Sequence, residues 1–409
     1  MLLALCAALL MLVPAVAGGE SGAPEALTSG RGVPESATEC TGFRRAPVEG
    51  DKQAVSPRAA NPLAGESFYV DDKRSRFGHK GFREPAFGEY SSSRGRKRDL
   101  YARIALQPRF KWFGRFDGDT TTPGRGLDDL RLRVCTFLAD AEQQGAVPLM
   151  TVLRHQGRAC NNRYQAGGVK EDNATKLWYE AFAQAVGESR VVIAFEPDSV
   201  GTVECLAPSR RKARMNLLRH GIDVLSKLPN ATVYLEASAS DWRPAKLMAS
   251  RLRYIGIAKI RGFMLNVTHF DWTAANIRYG RGISRRVGGK PFIISTNHSG
   301  RGPVHYRKRF GGRNRRIVVN CHPRFRGLGP SPSTQTGNAK VDAFMWISRP
   351  GYSRGACNGG PAKEGDWWPK RALELAKFAT QRRGPAGGTR YGFPRDKFSL
   401  RLVAGDQLK

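Results

Sequence analysis

Two carboxylates flank a proline at the end of a strongly apolar run, and these residue types could do chemistry. The run is Val191-Val192-Ile193-Ala194-Phe195, and Glu196-Pro197-Asp198 follows it directly. Its β-branched and aromatic residues, with no alternating polar positions, are typical of a strand buried on both faces. Carboxylates that follow such a strand lie where parallel α/β enzymes hold their catalytic groups. The sequence therefore predicts an acid at the mouth of an α/β barrel.

Alternating strand-like and helix-like segments continue along the chain and would position this acid. Strands are predicted at residues 146–153, 191–195, 232–235, 262–267, 291–295 and 343–347. Helices are predicted at residues 127–143, 176–186, 211–228, 244–255, 274–287 and 368–380. This βα rhythm predicts an α/β fold with a parallel sheet that is closed, or nearly closed, into a barrel.

The charge balance is strongly basic. The 409 residues include 67 Lys and Arg against 35 Asp and Glu, a formal net charge of +32. Such a field favours anionic partners such as nucleic acid, acidic polysaccharide or an anionic cell wall. The alternative is an Arg-rich composition spread over a solvated surface. A predicted loop at residues 305–316 interleaves basic and aromatic residues, so it could bind an anionic polymer or simply be solvated.

The two ends of the chain have compositions unlike a folded core. Residues 1–17 form an apolar run with a small-residue ending, which predicts a signal peptide and a secreted protein. Residues 18–60 predict a disordered leader or linker, and residues 382–409 a basic tail. No later segment is long and apolar enough to predict a membrane span.

Six cysteines would remain after removal of the signal peptide. An even number in an exported protein suggests disulfides, and no spacing among them is that of a metal site. We therefore predict neither a metal nor a cofactor. The six are Cys40, Cys135, Cys160, Cys205, Cys321 and Cys357.

Short motifs at the predicted strand ends resemble glycoside hydrolase family 6, the inverting cellulases and cellobiohydrolases. They include Asn61-Pro62-Leu63-Ala64-Gly65, Gly157-Arg158-Ala159-Cys160, Glu196-Pro197-Asp198, Tyr234-Leu235-Glu236-Ala237, Gly262-Phe263-Met264-Leu265-Asn266-Val267, Leu328-Gly329-Pro330, Val341-Asp342-Ala343 and Trp367-Trp368-Pro369. The resemblance implies a family 6-like domain over residues 61–381. The fold it implies is a distorted barrel of parallel strands with a glucan-binding cleft at their carboxyl ends.

The resemblance also implies roles for individual residues. Asp198 matches the general acid, Glu236 a supporting carboxylate, and Arg158 an organiser of the cleft. The positions that would bind substrate, a β-1,4-linked glucan or a related polysaccharide, are Trp242, Trp346, Asn266 and Glu196. The disulfides that the resemblance implies are Cys160–Cys205 and Cys321–Cys357, whereas Cys40 and Cys135 have no family counterpart.

Other members of the catalytic set depart from the family pattern. Leu153 replaces a tyrosine, Ala159 the carboxylate that tunes the acid, Ser348 a lysine, Tyr352 a glutamate and Arg354 the base. Inverting hydrolysis needs a second carboxylate to activate water, and each acid or base step contributes about 10²–10⁴-fold. A cationic Arg354 cannot accept a proton. The resemblance therefore implies a glycosidase that is impaired by loss of its base.

Three hypotheses follow for the function. The first is a secreted β-1,4-glucan hydrolase of inverting type with Asp198 as its acid. The second keeps the fold without the reaction, as a catalytically silent glycan-binding protein, possibly for an anionic cell-wall polymer. The third is a nucleic-acid binder that uses the positive field, and it predicts binding that weakens steeply with salt.

Overall fold

The computed structural model describes residues 48–72, 84–114, 125–154, 169–310 and 312–380, together with a short strand at 407–408. Its strands are β1 (Lys111–Gly114), β2 (Leu149–Leu153), β3 (Val191–Phe195), β4 (Ala231–Glu236), β5 (Gly262–Leu265), β6 (Phe292–Ser295), β7 (Val304–Phe310), β8 (Arg313–Val319), β9 (Val341–Met345) and β10 (Gln407–Leu408). Its helices are α1 (Pro85–Ser92), α2 (Gly95–Ala105), α3 (Arg125–Gln143), α4 (Val169–Val186), α5 (Pro208–Leu225), α6 (Ala245–Ile255), α7 (Thr273–Arg286) and α8 (Pro369–Lys377).

Seven of these strands form one parallel sheet, in the order β1-β2-β3-β4-β5-β6-β9. Helices α3 to α7 connect successive strands from β1 to β6. The Phe110 N–H, just before β1, donates to the Trp346 carbonyl, just after β9, at 3.2 Å. Nearby, the Trp112 indole N–H donates to the Ile347 carbonyl at 2.7 Å. The two edges of the curled sheet thus approach each other, and the predicted distorted α/β barrel is confirmed.

Strand β3 is buried on both faces, which explains its uninterrupted apolar sequence. Val192 and Ala194 pack in one apolar cluster, whereas Ile193 and Phe195, on the other face, pack in a second cluster with the helices. Gly221 of α5 lies directly against Phe195. A Cβ at this glycine would stand 2.2 Å from the Phe195 Cζ, so glycine permits the close approach of helix to strand. This packing fixes the end of β3, where the predicted acid lies.

A basic hairpin is the largest difference from the predicted elements in this part of the chain. Residues 305–316 were expected to be a loop, but β7 and β8 pair antiparallel from Val304 opposite Val319 to Phe310 opposite Arg313. Strand β10 extends this small sheet by pairing with β8. The Gly311-Gly312 pair between β7 and β8 is a sequence typical of a tight hairpin turn. The alternation of apolar residues at 304, 306, 317 and 319 is the strand signal that the abundant arginines obscure.

The remaining predicted elements are present with shifted ends. Helix α4 begins seven residues earlier than the prediction at 176–186 and strand β9 begins two residues earlier than the prediction at 343–347. Helices α1 and α2 and strand β1 were not predicted. No helix in the described part of the chain is long and apolar enough to cross a membrane. The predicted signal peptide, most of the leader and most of the tail lie outside the described residues.

Candidate active site

The carboxyl ends of β3, β4 and β5 share an unusual backbone feature. Four non-glycine residues there have positive φ: Glu196 at 56°, Asp198 at 65°, Ser238 at 72° and Asn266 at 64°. A residue of this kind costs on the order of 1–3 kcal/mol, and such residues cluster at functional sites. Their concentration on three neighbouring strand ends marks this edge of the sheet as the candidate site. Sequence patterns give no direct signal for it.

Asp198 is half-buried at this edge. Its Oδ1 accepts a hydrogen bond from the Thr268 hydroxyl at 2.6 Å, and its carbonyl accepts one from the Thr202 N–H at 3.0 Å. Among the described residues no hydrogen bond reaches Oδ2. Asp198 is thus anchored through one carboxylate oxygen while the other is left for a proton or a ligand. This is the arrangement that a general acid requires.

Glu196, two residues earlier, is turned inward. It is fully buried, and its Oε1 accepts hydrogen bonds from the Arg154 N–H at 2.8 Å and the Tyr179 hydroxyl at 2.6 Å. These contacts join the ends of β2 and β3 to helix α4. A fully buried carboxylate with such partners positions the strand end, and the predicted contact of Glu196 with substrate stays a prediction.

Glu236 lies at the end of β4 and is electrostatically coupled to Asp198. Its Oε2 accepts hydrogen bonds from the backbone N–H groups of Val200 at 2.7 Å and Gly201 at 3.0 Å, and its Oε1 accepts one from Ser238. Burial and, to a smaller extent, the nearby charge of Asp198 raise the pKa of Glu236 to about 8, although its hydrogen bonds from backbone N–H groups act in the opposite direction. Glu236 is therefore mostly protonated at neutral pH.

This coupling gives a testable pKa. Replacing Asp198 with asparagine removes the like charge, so the pKa of Glu236 should fall, as measured by carboxyl ¹³C NMR titration. Asp223→Asn on the surface of α5 should leave the pKa of Glu236 unchanged, and equal titration curves in the two variants would contradict the coupling.

The raised pKa of Glu236 also makes stability depend on pH. Because its folded pKa of about 8 exceeds the usual 4.5, the folded state binds the Glu236 proton more tightly than the unfolded state does. Its contribution to stability is therefore present below pH 4.5 and is lost as the pH rises through about 8.

The predicted sugar-binding residues are mostly enclosed. Trp242 is 8% exposed, and its ring stacks on His269 with 4.9 Å between ring centroids. Trp346 is 1% exposed and donates its indole N–H to the Pro330 carbonyl at 3.0 Å. Asn266 is buried and donates to the carbonyls of Asp271 and Ser295. The three side chains thus have internal partners, and their predicted contact with a sugar stays a prediction.

The positions that depart from the family pattern are spread around the same edge. Leu153 ends β2, and the Ser348 hydroxyl donates to the Val267 carbonyl. The Tyr352 hydroxyl lies 3.5 Å from the Glu84 carboxylate, and burial raises its pKa. Ala159, Arg158 and Cys160 lie outside the described residues, so their predicted roles stay predictions.

Arg354 lies beside the acid, on the loop after β9. Its Nη1 donates to the carbonyls of Thr268 and, at 2.9 Å, Asn320, and its guanidinium lies 5.3 Å from the centre of the Phe270 ring. Thr268 therefore touches both Arg354, through its carbonyl, and Asp198, through its hydroxyl. Burial lowers the pKa of Arg354 to about 10, which leaves it cationic at neutral pH, and Asp198 favours that charge.

A disulfide holds the loop that carries Arg354. Cys321 and Cys357 are bonded, with their Cα atoms 6.1 Å apart, as the family resemblance implied. His322 follows Cys321 directly, and its Nε2 accepts a hydrogen bond from the Arg354 N–H at 2.9 Å. Cys135 and Cys205 each take part in a disulfide as well, not with each other. The predicted partner of Cys205, Cys160, lies outside the described residues.

Comparison with known proteins places this barrel in a family. The sequence model of "Glycosyl hydrolases family 6" matches residues 64–379. Endoglucanase A of Cellulomonas fimi is 31% identical over 319 residues, covering 78% of this chain and 62% of that protein. Endoglucanase A of Thermobispora bispora is 29% identical, covering 68% of this chain and 56% of that protein. The chain thus spans about three fifths of the length of these curated relatives.

A solved structure supports the same assignment. The endoglucanase Cel6 from Mycobacterium tuberculosis, in complex with methyl-cellobiosyl-4-deoxy-4-thio-β-D-cellobioside, aligns with a TM-score of 0.65 and 31% sequence identity. The alignment covers 78% of this chain and 99% of that one. With a family match over most of the chain and a shared barrel, this protein belongs to glycosyl hydrolases family 6.

Proposed function

We propose that this chain is a β-1,4-glucan hydrolase of inverting type, with Asp198 as its general acid and with a turnover limited by the loss of its base. The main observation behind this proposal is the position of Asp198. It is half-buried at the carboxyl end of β3, and the Thr268 hydroxyl holds its Oδ1. Membership of a family whose curated relatives are named endoglucanases supports the substrate class.

The site suits protonation of the leaving group better than activation of the attacking water. In such a reaction the acid protonates the leaving glycosidic oxygen, while a carboxylate about 6.5–9.5 Å from it activates water on the opposite face. In this proposal Asp198 is the group placed against the leaving oxygen, and the buried Glu236 beside it supports it with a raised pKa. Water activation is what Arg354, a cation at neutral pH, cannot perform.

Two carboxylates follow Arg354 in the same loop and are the nearest candidates in sequence for a substitute base. Glu364 is exposed and acts electrostatically on Arg354. Asp366 lies 4.0 Å from Lys363, with its side chain 45% exposed. Because a cation lies near each of them, we expect either one to support only slow hydrolysis.

The second hypothesis, a glycan-binding protein without turnover, is favoured by the same Arg354. This second hypothesis differs from the first in one respect: it predicts that the protein binds the glycan but that no hydrolysis depends on Asp198. Export from the cell is also part of the proposal, and the bonded Cys321–Cys357 pair supports it because disulfides persist in oxidising compartments.

Asp198→Asn is the test that separates these hypotheses. As an enzyme, the protein should release reducing sugar from soluble β-1,4-glucan, and Asp198→Asn should lower the rate about 10²-fold because the acid is lost. Asp223→Asn, an exposed substitution of the same kind, should keep the wild-type rate. Identical traces for wild type and Asp198→Asn would rule out hydrolysis at this site, and cello-oligosaccharide binding without turnover would favour the silent form.

A further inference from the structure

Arginines surround the candidate site on the side of Arg354. Burial is the largest cause of the lowered pKa of Arg354, and the nearby Arg371 lowers it further. Burial likewise lowers the pKa of Arg326 to about 10, with further contributions from Arg301 and Arg371. Cations that depress one another's pKa lie within a shared electrostatic environment. The loops after β6, β8 and β9 and helix α8 thus bring four arginines together.

Neutral groups hold Arg354 and Arg326. Arg354 donates to two carbonyls and contacts the His298 Nδ1 at 3.5 Å, and Arg326 Nη1 donates to the carbonyls of Arg301 and Gly302. Burial and the neighbouring arginines lower the pKa of His298, so its ring is neutral at pH 7. In contrast, Arg371 has a carboxylate in direct contact, Glu374 at 2.6 Å. The positive charge of Arg354 is therefore positioned without being neutralised by a bonded carboxylate.

Buried polar atoms next to Arg354 lack partners. Asn320 is 7% exposed, and neither its side-chain oxygen nor its side-chain nitrogen has a hydrogen-bond partner in the described part of the chain. The Nη2 of Arg371 also has no hydrogen-bond partner among the described residues. Buried polar atoms are nearly always satisfied in native proteins, so each exception needs an explanation. A polar ligand at Arg354, with the water it orders, would supply the missing partners.

The basic hairpin leads directly into this site. Residues 304–319 contain six Arg and Lys and no Asp or Glu. Arg307, Arg309 and Arg313 of this hairpin are exposed. Exposed cations on one hairpin favour the binding of a polyanion. Strand β8 ends at Val319, and the carbonyl of the next residue, Asn320, holds Arg354.

We infer that the preferred ligand of this site is an acidic β-1,4-glycan, in which Arg354 binds a sugar carboxylate in the cleft and the β7–β8 hairpin binds the polymer beyond it. The inference rests on the proposed function and specifies its substrate class. A guanidinium forms charge-assisted, geometrically specific hydrogen bonds with a carboxylate. A neutral glucan in the same place would bury the Arg354 charge without an anion, at a cost in affinity.

Calorimetric titration with two matched tetrasaccharides tests the cleft. The probes are cellotetraose and the β-1,4-linked tetraglucuronide, which differ in the oxidation of C6. Wild type should bind the glucuronide about 10- to 100-fold more tightly, because hydrogen bonds to charged groups are the stronger ones. Arg354→Leu should bring the ratio close to one. Arg354→Lys, which keeps the charge but loses the fork of donors, should give an intermediate ratio. The matched control Arg281→Leu, on the exposed face of α7, should keep the wild-type ratio.

A second titration tests the hairpin with long polyglucuronate. The triple variant Arg307→Gln, Arg309→Gln, Arg313→Gln removes three exposed charges from it. It should bind the polymer more weakly and with a smaller salt dependence than the control triple variant Arg96→Gln, Arg281→Gln, Arg285→Gln. The control variant removes the same charge from exposed helix positions.

The outcomes separate this inference from the proposed function. Equal affinity for both tetrasaccharides, or a ratio unchanged in Arg354→Leu, would overturn the acidic-glycan inference alone. Failure to bind or cleave either sugar would overturn the proposed function as well. Binding of a single-stranded DNA oligonucleotide as tightly as polyglucuronate, at equal salt, would also overturn the inference, because the surface would then recognise charge without the sugar.

Discussion

Replacing Arg354 with aspartate should raise the rate of neutral β-1,4-glucan hydrolysis about 10²–10⁴-fold, the usual contribution of one acid–base step. The proposal places Arg354 where the family resemblance puts the catalytic base. It already lies beside the acid, since the hydroxyl of Thr268 holds Asp198 and the carbonyl of the same residue holds Arg354. An aspartate there restores a proton acceptor and removes a cation that opposes water activation. Reducing-sugar release from soluble glucan measures the gain.

Arg354→Asn is the matched control for this prediction. Asparagine has the shape of aspartate and also removes the cation, but it cannot accept a proton from water. Only the aspartate variant should therefore gain activity, and adding Asp198→Asn to it should abolish the gain. An equal rise in both variants would show that the arginine blocks the cleft rather than replacing a base. No rise in a stably folded Arg354→Asp would mean that this position does not face the attacking water.

The sequence predicted the barrel because its strands carry an unambiguous signal. A strand such as β3 packs in two apolar clusters, one on each face, and so has a continuous apolar sequence with sharply defined ends. The predicted end of β3 agrees with the structure to the residue, and so does the position of Asp198 just after it. Helices were placed less well at their ends, where α4 extends over polar residues that continue the turn without contributing to the core.

The parts of the site that escaped prediction depend on contacts across the fold. Nothing near Thr268 in sequence shows that its hydroxyl bonds Asp198, 70 residues away. The stacking of Trp242 on His269 is equally non-local, since 27 residues separate the two rings in sequence. The hairpin was missed for a different reason. Its apolar alternation lies among many charged residues, which hide the strand signal in the sequence.

The barrel that holds the site depends on a buried ion pair, between Arg261 just before β5 and Asp342 in β9. Their side chains are 3% and 2% exposed, and two hydrogen bonds of 2.8 and 2.9 Å join them. The Tyr234 hydroxyl of β4 also donates to Asp342, at 2.7 Å. Arg261 Nη1 donates in addition to carbonyls in the segment before the barrel, at Ala54, Ser56 and Ala59. This cluster therefore ties three strands to the segment before the barrel.

Asp342→Asn should lower the free energy of unfolding by about 3–5 kcal/mol, because it leaves the buried Arg261 without its counter-charge. Denaturant unfolding followed by tryptophan fluorescence measures the loss. The same substitution at an exposed pair is the control: Asp223 contacts Lys259 with side chains 41% and 56% exposed, so Asp223→Asn should cost at most about 1 kcal/mol. Tyr234→Phe, which removes one hydrogen bond and leaves the ion pair, should fall between them at about 1–2 kcal/mol. Equal losses in the two Asp→Asn variants would contradict the buried pair, since the two substitutions differ only in the burial and partners of the carboxylate.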